Sequence, residues 1–168
     1  MRILFLHGAG GYADDRSLAD GLGAARGVRV DYLRLPQQDM SVVAWSEPIH
    51  TRLAVLAPED LVIAHSFAAS ILLHVLAGGG AAPTRAILLA MPNWGPHGWQ
   101  IGEYDLRATE PTADLALHHC RDDEVVPFDH LALNAAVLPS ASVHEYPRGG
   151  HQFEGLHEVI VEDQKFTG

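Results

Sequence analysis

A layered α/β fold, a parallel sheet with helices on both faces, is predicted by three features of this 168-residue sequence. Six short apolar runs of strand length recur along it. Stretches with helical periodicity separate them. Several of the runs are apolar at consecutive positions, as strands covered on both faces must be, instead of at every second position.

The first run, Arg2–Leu6, leads into His7-Gly8-Ala9-Gly10-Gly11. Asp14–Ala25 reads as a helix opened by two acids, which suit the positive end of a helix dipole. Val28–Leu33 is the second strand. Ser41–Leu56 carries Val42, Val43, Trp45, Ile49, Leu53 and Leu56 at helical spacing, interrupted by Pro48. Asp60–Ala64 is the third strand and runs into His65-Ser66. Phe67–Ala77 follows as a helix stopped by Gly78-Gly79-Gly80. Arg85–Ala90 and Asp114–His119 are the fourth and fifth strands. Between them lies Met91–Thr112, rich in Trp, Gly and Pro; irregular pieces of that length in compact domains are usually functional or mobile. Pro127–Leu138 opens with proline at a first helical position. Ser142–Tyr146 is the sixth strand, and Glu154–Lys165 the last helix. Crossovers between parallel strands are expected to be right-handed.

A chain of this length is expected to form one domain, burying about 70% of the surface its unfolded form exposes. Its 21 acids against 11 Lys and Arg give a net charge of -10. That balance opposes phosphate backbones and anionic lipid, and no run of five basic residues offsets it, so neither nucleic acid nor a membrane surface is expected as partner. Cys120 is the only cysteine, which forbids an intrachain disulfide and fits a reducing compartment. Ile3–Leu6 is too short for a signal peptide or a membrane span. A soluble, cytoplasmic protein is expected.

In sheets of this kind ligands gather beyond the carboxyl ends of the strands, at the switch point in strand order. The residues that follow the strands are His7–Gly11, His65-Ser66, Asp122-Asp123 and Gly149-Gly150-His151. A nucleophile, an acid and a base therefore fall where chemistry can be done. Ser66 stands in Ala64-His65-Ser66-Phe67-Ala68, the pattern G-x-S-x-G with alanine at both glycine positions. A strand-to-helix turn that presents a serine is sharp, and only very small side chains fit two residues to either side; alanine nearly meets that demand. Serine is equally at home as a helix N-cap, so Ser66 by itself does not decide. The chain order does: serine, then aspartate, then histidine is the order of the α/β-hydrolase triad.

Asp123 precedes Val126-Pro127, giving D-x-x-V-P after the fifth strand, and Gly149-Gly150 precede His151 after the sixth. With the His7-Gly8 start, the small size and the lack of a cap domain, these segments resemble the α/β-hydrolase superfamily. Within it they are most similar to the small cap-less serine hydrolases of the YdeN and retinoblastoma-binding protein 9 type. The resemblance spans nearly the whole chain and is least over Met91–Thr112. It implies an α/β-hydrolase-like sheet of about six parallel strands in the order 2-1-3-4-5-6. It also implies Ser66 as nucleophile, His151 as the general base and Asp123 as the acid that holds the imidazole in the right tautomer. The oxyanion donors would be the backbone N–H groups of Phe67 and Ala9, reinforced by the positive end of the helix beginning near Phe67. Asp122 competes for the acid role, but the spacing to Val126-Pro127 favours Asp123 and leaves Asp122 a solvated loop charge. Gly8, Gly10, His65, Trp94 and Trp99 are further candidates for the substrate site. His65 is expected to pack or orient the elbow and not to react. Trp94, His97 and Trp99 either line a pocket or anchor the long loop. His118 and His119 read as structural strand residues, and Cys120 ends a strand with no elbow around it.

Three other readings compete with this one. Gly8-Ala9-Gly10-Gly11-Tyr12-Ala13 fits G-x-G-x-x-A after a strand, with Asp31 near the distance of a ribose-binding acid. Asp14 and Asp15 would repel a diphosphate there, and this dinucleotide reading leaves Ser66, Asp123 and His151 unused. A non-catalytic binding protein on the same fold is the second rival. The L-x-C-x-E segment through which related human proteins bind a pocket protein has no counterpart in Leu117-His118-His119-Cys120, so that partner is not carried over. A metal hydrolase is the third, and no H-E-x-x-H or similar spacing supports it. The expected activity is hydrolysis of small carboxylic esters through an acyl-Ser66 intermediate, with no metal and no cofactor, at an open site without a lid.

Overall fold

The computed structural model describes residues 1–79, 83, 85–106 and 110–162. All six predicted strands form: β1 (Ile3–Leu6), β2 (Val30–Leu33), β3 (Leu61–His65), β4 (Arg85–Leu89), β5 (Asp114–Cys120) and β6 (Ser142–Tyr146). They make one parallel sheet in the order β2-β1-β3-β4-β5-β6, as the resemblance implied. The order reverses beside β1, and this is where His7–Gly11 and His65-Ser66 leave the sheet.

Alternate residues of the central strands feed two separate cores. Leu4, Leu6, Val62, Ala64 and Leu88 face one side and pack beneath α2 (Val42–Leu53), α3 (Phe67–Ala77) and α4 (His130–Val137). Ile3, Phe5, Ile63, Ile87 and Leu89 face the other and pack beneath α1 (Arg16–Arg26) and α5 (His157–Glu162). Consecutive apolar residues are thus what a doubly covered sheet requires. The edge strands are less buried. β2 is half-buried throughout, and β6 is exposed over most of its length.

Helix ends depart from the sequence reading for local reasons. α1 begins at Arg16, two residues late, because Asp15 turns its side chain away from the helix and makes no cap bond. It ends in a left-handed Gly27 (φ 70°) whose N–H returns to Ala24. Ser41 caps α2 by accepting from the Ala44 N–H at 3.3 Å, and Pro48 lies inside that helix without ending it. Pro127 does not open α4. It starts a tight turn in which the His130 N–H bonds the Pro127 carbonyl at 3.0 Å, and the helix follows from His130. α5 starts at His157, not Glu154, because left-handed Phe153 (φ 54°) and Gly155 (φ 75°) hold the preceding segment as a turn. The predicted end of that helix at Lys165 lies outside the described residues, as do positions 107–109 of the long loop. Among the described residues no helix is long and apolar enough to cross a membrane.

Candidate active site

Ser66 sits between β3 and α3 at φ 54° and ψ -123°, a backbone conformation foreign to residues with a side chain. Ala64 and Ala68 are fully buried on either side of it, which explains why both are small. The Ser66 N–H is held by the Leu89 carbonyl at 2.8 Å. Phe67 is the first residue of α3, so no preceding helical turn can claim its N–H. Across from it, Gly8–Gly11 forms a turn closed by the Gly11 N–H on the Gly8 carbonyl at 3.0 Å, with exposed Ala9 and left-handed Gly10 (φ 69°) at its centre. A side chain on Gly8 would begin 3.1 Å from Ser66 Cβ, so glycine there is a condition of the close approach. His7 anchors this turn from beneath. Its Nδ1 donates to the Gly8 carbonyl at 2.8 Å and its Nε2 accepts from the Leu35 N–H at 3.0 Å, which defines a neutral tautomer.

Asp123 and His151 meet after β5 and β6. His151 Nδ1 lies 2.9 Å from Asp123 Oδ2. The Asp123 carboxylate is fully buried and also accepts from the Val125 and Val126 N–H groups at 2.8 and 2.9 Å. His119 Nε2 faces it at 3.3 Å and the Val126 carbonyl at 2.9 Å; with two acceptors before it, that nitrogen carries the proton. Burial by itself would raise the Asp123 carboxyl, but the bonds from His119 and His151 outweigh it and hold the group far below the usual carboxylate range. Asp122 accepts from Gly150 and Gly149 at 2.9 and 3.4 Å, so it fastens the glycine pair ahead of His151 instead of being merely a solvated charge.

Ser66 and His151 border one cleft of about 480 Å³, together with Gly8, Ala9, His65, Phe67, Trp94 and Trp99. Gly10, also a candidate for the substrate site, does not border it, and a side chain there would meet open space. Tyr104, Met40, Ile101, Val125 and Glu124 also line the wall, and sequence reasoning singled out none of them. The tryptophans do both of the things considered for them. Trp94 anchors the long loop through Nε1 to Ser70 Oγ at 2.8 Å, and Trp99 packs edge-on against it with ring centres 5.0 Å apart. His97 lines a neighbouring cavity of about 200 Å³ under the same loop, not the cleft. Cys120 is buried, and burial pushes its thiol up to about 12, aided by the nearby acids, which rules out a thiolate nucleophile. His118 is buried against Tyr146 and His144, and burial pulls it down to about 3, leaving it neutral. Among the described residues no three His, Cys, Asp or Glu side chains are arranged to hold a metal ion.

No protein-family model matches the chain, and no curated protein matches it by sequence. Solved structures do match. A YdeN-like protein from Pectobacterium atrosepticum superposes with a TM-score of 0.73 at 15% identity, over 96% of this chain and 89% of that one. The ydeN gene product of B. subtilis gives 0.72 at 23% identity, over 96% and 95%. The chain has the α/β-hydrolase fold. A meta-cleavage product hydrolase from Pseudomonas fluorescens shares it as well, with a TM-score of 0.71 at 13% identity over 96% and 89%.

In this α/β-hydrolase fold the loop that a dinucleotide fingerprint would open for a diphosphate is filled from within. Asp15 is buried beneath it, and a side chain on Gly11 would begin 2.6 Å from its carboxylate. Asp31 lies within β2, paired with Arg52 at 2.7 Å. Burial would raise the Asp15 carboxyl, but bonds from His65, Gln152 and Gly8 lower it from 3.8 to about 2. A folded-state value below the unfolded one stabilises the fold fully above the unfolded value, and the gain is lost as pH falls through the folded value. Asp15 should therefore contribute on the order of 2 kcal/mol above about pH 5, lost between about pH 4 and pH 2. Urea titrations across that range should show the decline, made shallower by Asp15→Asn. A stability that stays flat to about pH 2 would contradict it.

Proposed function

We propose that this protein is a serine hydrolase that cleaves small carboxylic esters through an acyl-Ser66 intermediate. The observation that carries this is a strained serine turn opening onto the same cleft as a histidine whose far nitrogen is bonded to a buried, ionised aspartate. His151 Nδ1–H donates to Asp123, which leaves Nε2 as the acceptor for the Ser66 proton. As Ser66 Oγ adds to the ester carbonyl, the oxygen becomes an anion within reach of the Phe67 and Ala9 N–H groups. The His151 imidazolium then returns its proton to the departing alkoxide, and the alcohol leaves. Water repeats the cycle: His151 takes its proton, hydroxide adds to the acyl carbon, and Ser66 is released with the carboxylic acid.

That matched structures of the same fold include proteins named as hydrolases supports the reaction class. The cleft supports small substrates. Its volume suits a small molecule, and its wall is mainly aromatic and aliphatic. A fluorophosphonate probe should attach one phosphonyl group per chain, mapped by peptide mass to Ser66, and prior incubation with a hydrolysable nitrophenyl ester should slow that labelling. Absence of labelling, or labelling at another residue, would overturn the assignment.

A further inference from the structure

Asp15 is none of Ser66, Asp123 and His151, yet its side chain touches the Gly8 turn, the serine elbow and the histidine loop. It stands at the N-cap position of α1, but its side chain makes no bond to that helix. Its carboxylate points back under the sheet edge with 3% exposure. Oδ2 accepts from the Gly8 N–H at 2.7 Å and from His65 Nδ1 at 2.8 Å, and Oδ1 accepts from Gln152 Nε2 at 2.9 Å. His65 passes the connection on, because its Nε2 donates to the His151 carbonyl at 2.9 Å. The His65 ring thus bridges the Asp15 carboxylate and the His151 carbonyl. Gly11 leaves the space that the Asp15 carboxylate occupies.

We propose that Asp15 is a positioning residue that locks the oxyanion loop, the serine elbow and the histidine loop into one register. The proposal rests on the serine-hydrolase reading for its catalytic consequence. Gly8 precedes the Ala9 donor, His65 precedes Ser66, and Gln152 follows His151. One carboxylate thus fixes three segments that chain connectivity leaves independent. A misplacement of about 1 Å between such groups costs on the order of 10²-fold in rate, so a modest loosening of the register is enough to matter.

The test compares wild type, Asp15→Asn and Gln152→Ala by nitrophenyl acetate kinetics and by residue-resolved amide exchange. Asparagine that still accepts from Gly8 also accepts from His65, because both bond the same oxygen, but those bonds lose the charge of the carboxylate and its NH2 group now meets the Gln152 nitrogen. For Asp15→Asn, kcat should fall about 30- to 100-fold with KM changed less than about 3-fold. Exchange of residues 8–11 and 149–153 should quicken at least about 10-fold while β3 and β4 stay protected. Gln152→Ala cuts one arm, so faster exchange should be confined to 149–153, with a loss of about 3-fold in kcat. Unchanged kcat and unchanged loop exchange in Asp15→Asn would overturn the proposal. So would a loss accompanied by uniformly faster exchange across the sheet, which marks a merely structural role. Should Asp15→Asn not fold, Gln152→Ala decides by the same two readouts. Should wild type neither turn over nor be labelled at Ser66, the hydrolase reading fails by itself, and loop exchange in the variants still decides whether Asp15 couples the segments.

Discussion

Ser66→Ala should lower kcat for a nitrophenyl ester by about 10⁶-fold, the order seen when a triad serine is removed, and leave the fold intact. Only the hydroxyl is lost, and the oxyanion donors and His151 remain to give a residual rate about 10³–10⁴ above water. The backbone makes a second expectation possible. At φ 54° and ψ -123° the Cβ of residue 66 is what is strained, and alanine keeps it. Ser66→Gly should be just as inactive yet more stable than Ser66→Ala. Strain of this kind costs about 1–3 kcal/mol, while glycine gives back about 0.4–1 kcal/mol through its freer unfolded chain. The net gain of about 1 kcal/mol corresponds to a melting temperature about 2–4 °C higher in a chain this size. A glycine variant melting at or below the alanine variant would show that the turn stores no strain. An alanine variant within tenfold of wild type would remove Ser66 from the chemistry.

Such strain is tolerated because neighbouring structure leaves the turn no alternative. The Ser66 N–H is tied to β4, and buried His65 and Phe67 flank the turn. His65 is held at both ring nitrogens, and Phe67 packs edge-on against Trp45 with ring centres 4.8 Å apart.

The sheet was legible because its strands are buried on both faces, so each announces itself as a short run of consecutive apolar residues. The proposed trio Ser66, Asp123 and His151 stood out for a related reason: each lies within five residues of the end of a strand, and in a parallel sheet those ends share one edge. Asp15 did not. Two acids ahead of a helix read as charges on its dipole, and nothing local reveals that one of them turns inward to partners 7, 50 and 137 residues away. His119 was hidden by strand alternation. It and His118 are adjacent and chemically alike, and only the side of the sheet decides that one meets Asp123 while the other meets Tyr146. Helix starts were misplaced at Pro127 and Glu154, where tight turns precede the helix and use residues that also suit a first helical turn. The rest of the cleft wall was beyond reach because Met40, Tyr104 and Ile101 come from segments without periodicity, positioned by anchors such as Tyr104 Oη on the Met40 carbonyl at 3.1 Å.

Asp123→Asn should cost about 10⁴-fold in kcat, and the four donors around the carboxylate explain why so small a change does so much. The Val125 and Val126 N–H groups both point at Oδ1, so asparagine will keep its oxygen there and place its NH2 group where Oδ2 was. That group then faces His151 Nδ1, which in the native protein donates at 2.9 Å. Two donors cannot share the contact. His151 relieves it by taking the other tautomer, accepting at Nδ1 and carrying its proton on Nε2, the nitrogen that has to receive the proton of Ser66. The base is present but its lone pair is on the wrong side. His119 is caught in the same way, since the Val126 carbonyl keeps its proton on the nitrogen that faces Asp123; its lost partner should add about 1–3 kcal/mol of destabilisation. Asp122→Asn makes the contrast. Its partners are the exposed Gly149 and Gly150 N–H groups, the amide oxygen can still accept from them, and kcat should fall by less than about tenfold. Steady-state kinetics on the two variants, with melting temperatures to show that both fold, separates the roles. Near-normal turnover in Asp123→Asn beside collapse in Asp122→Asn would exchange them.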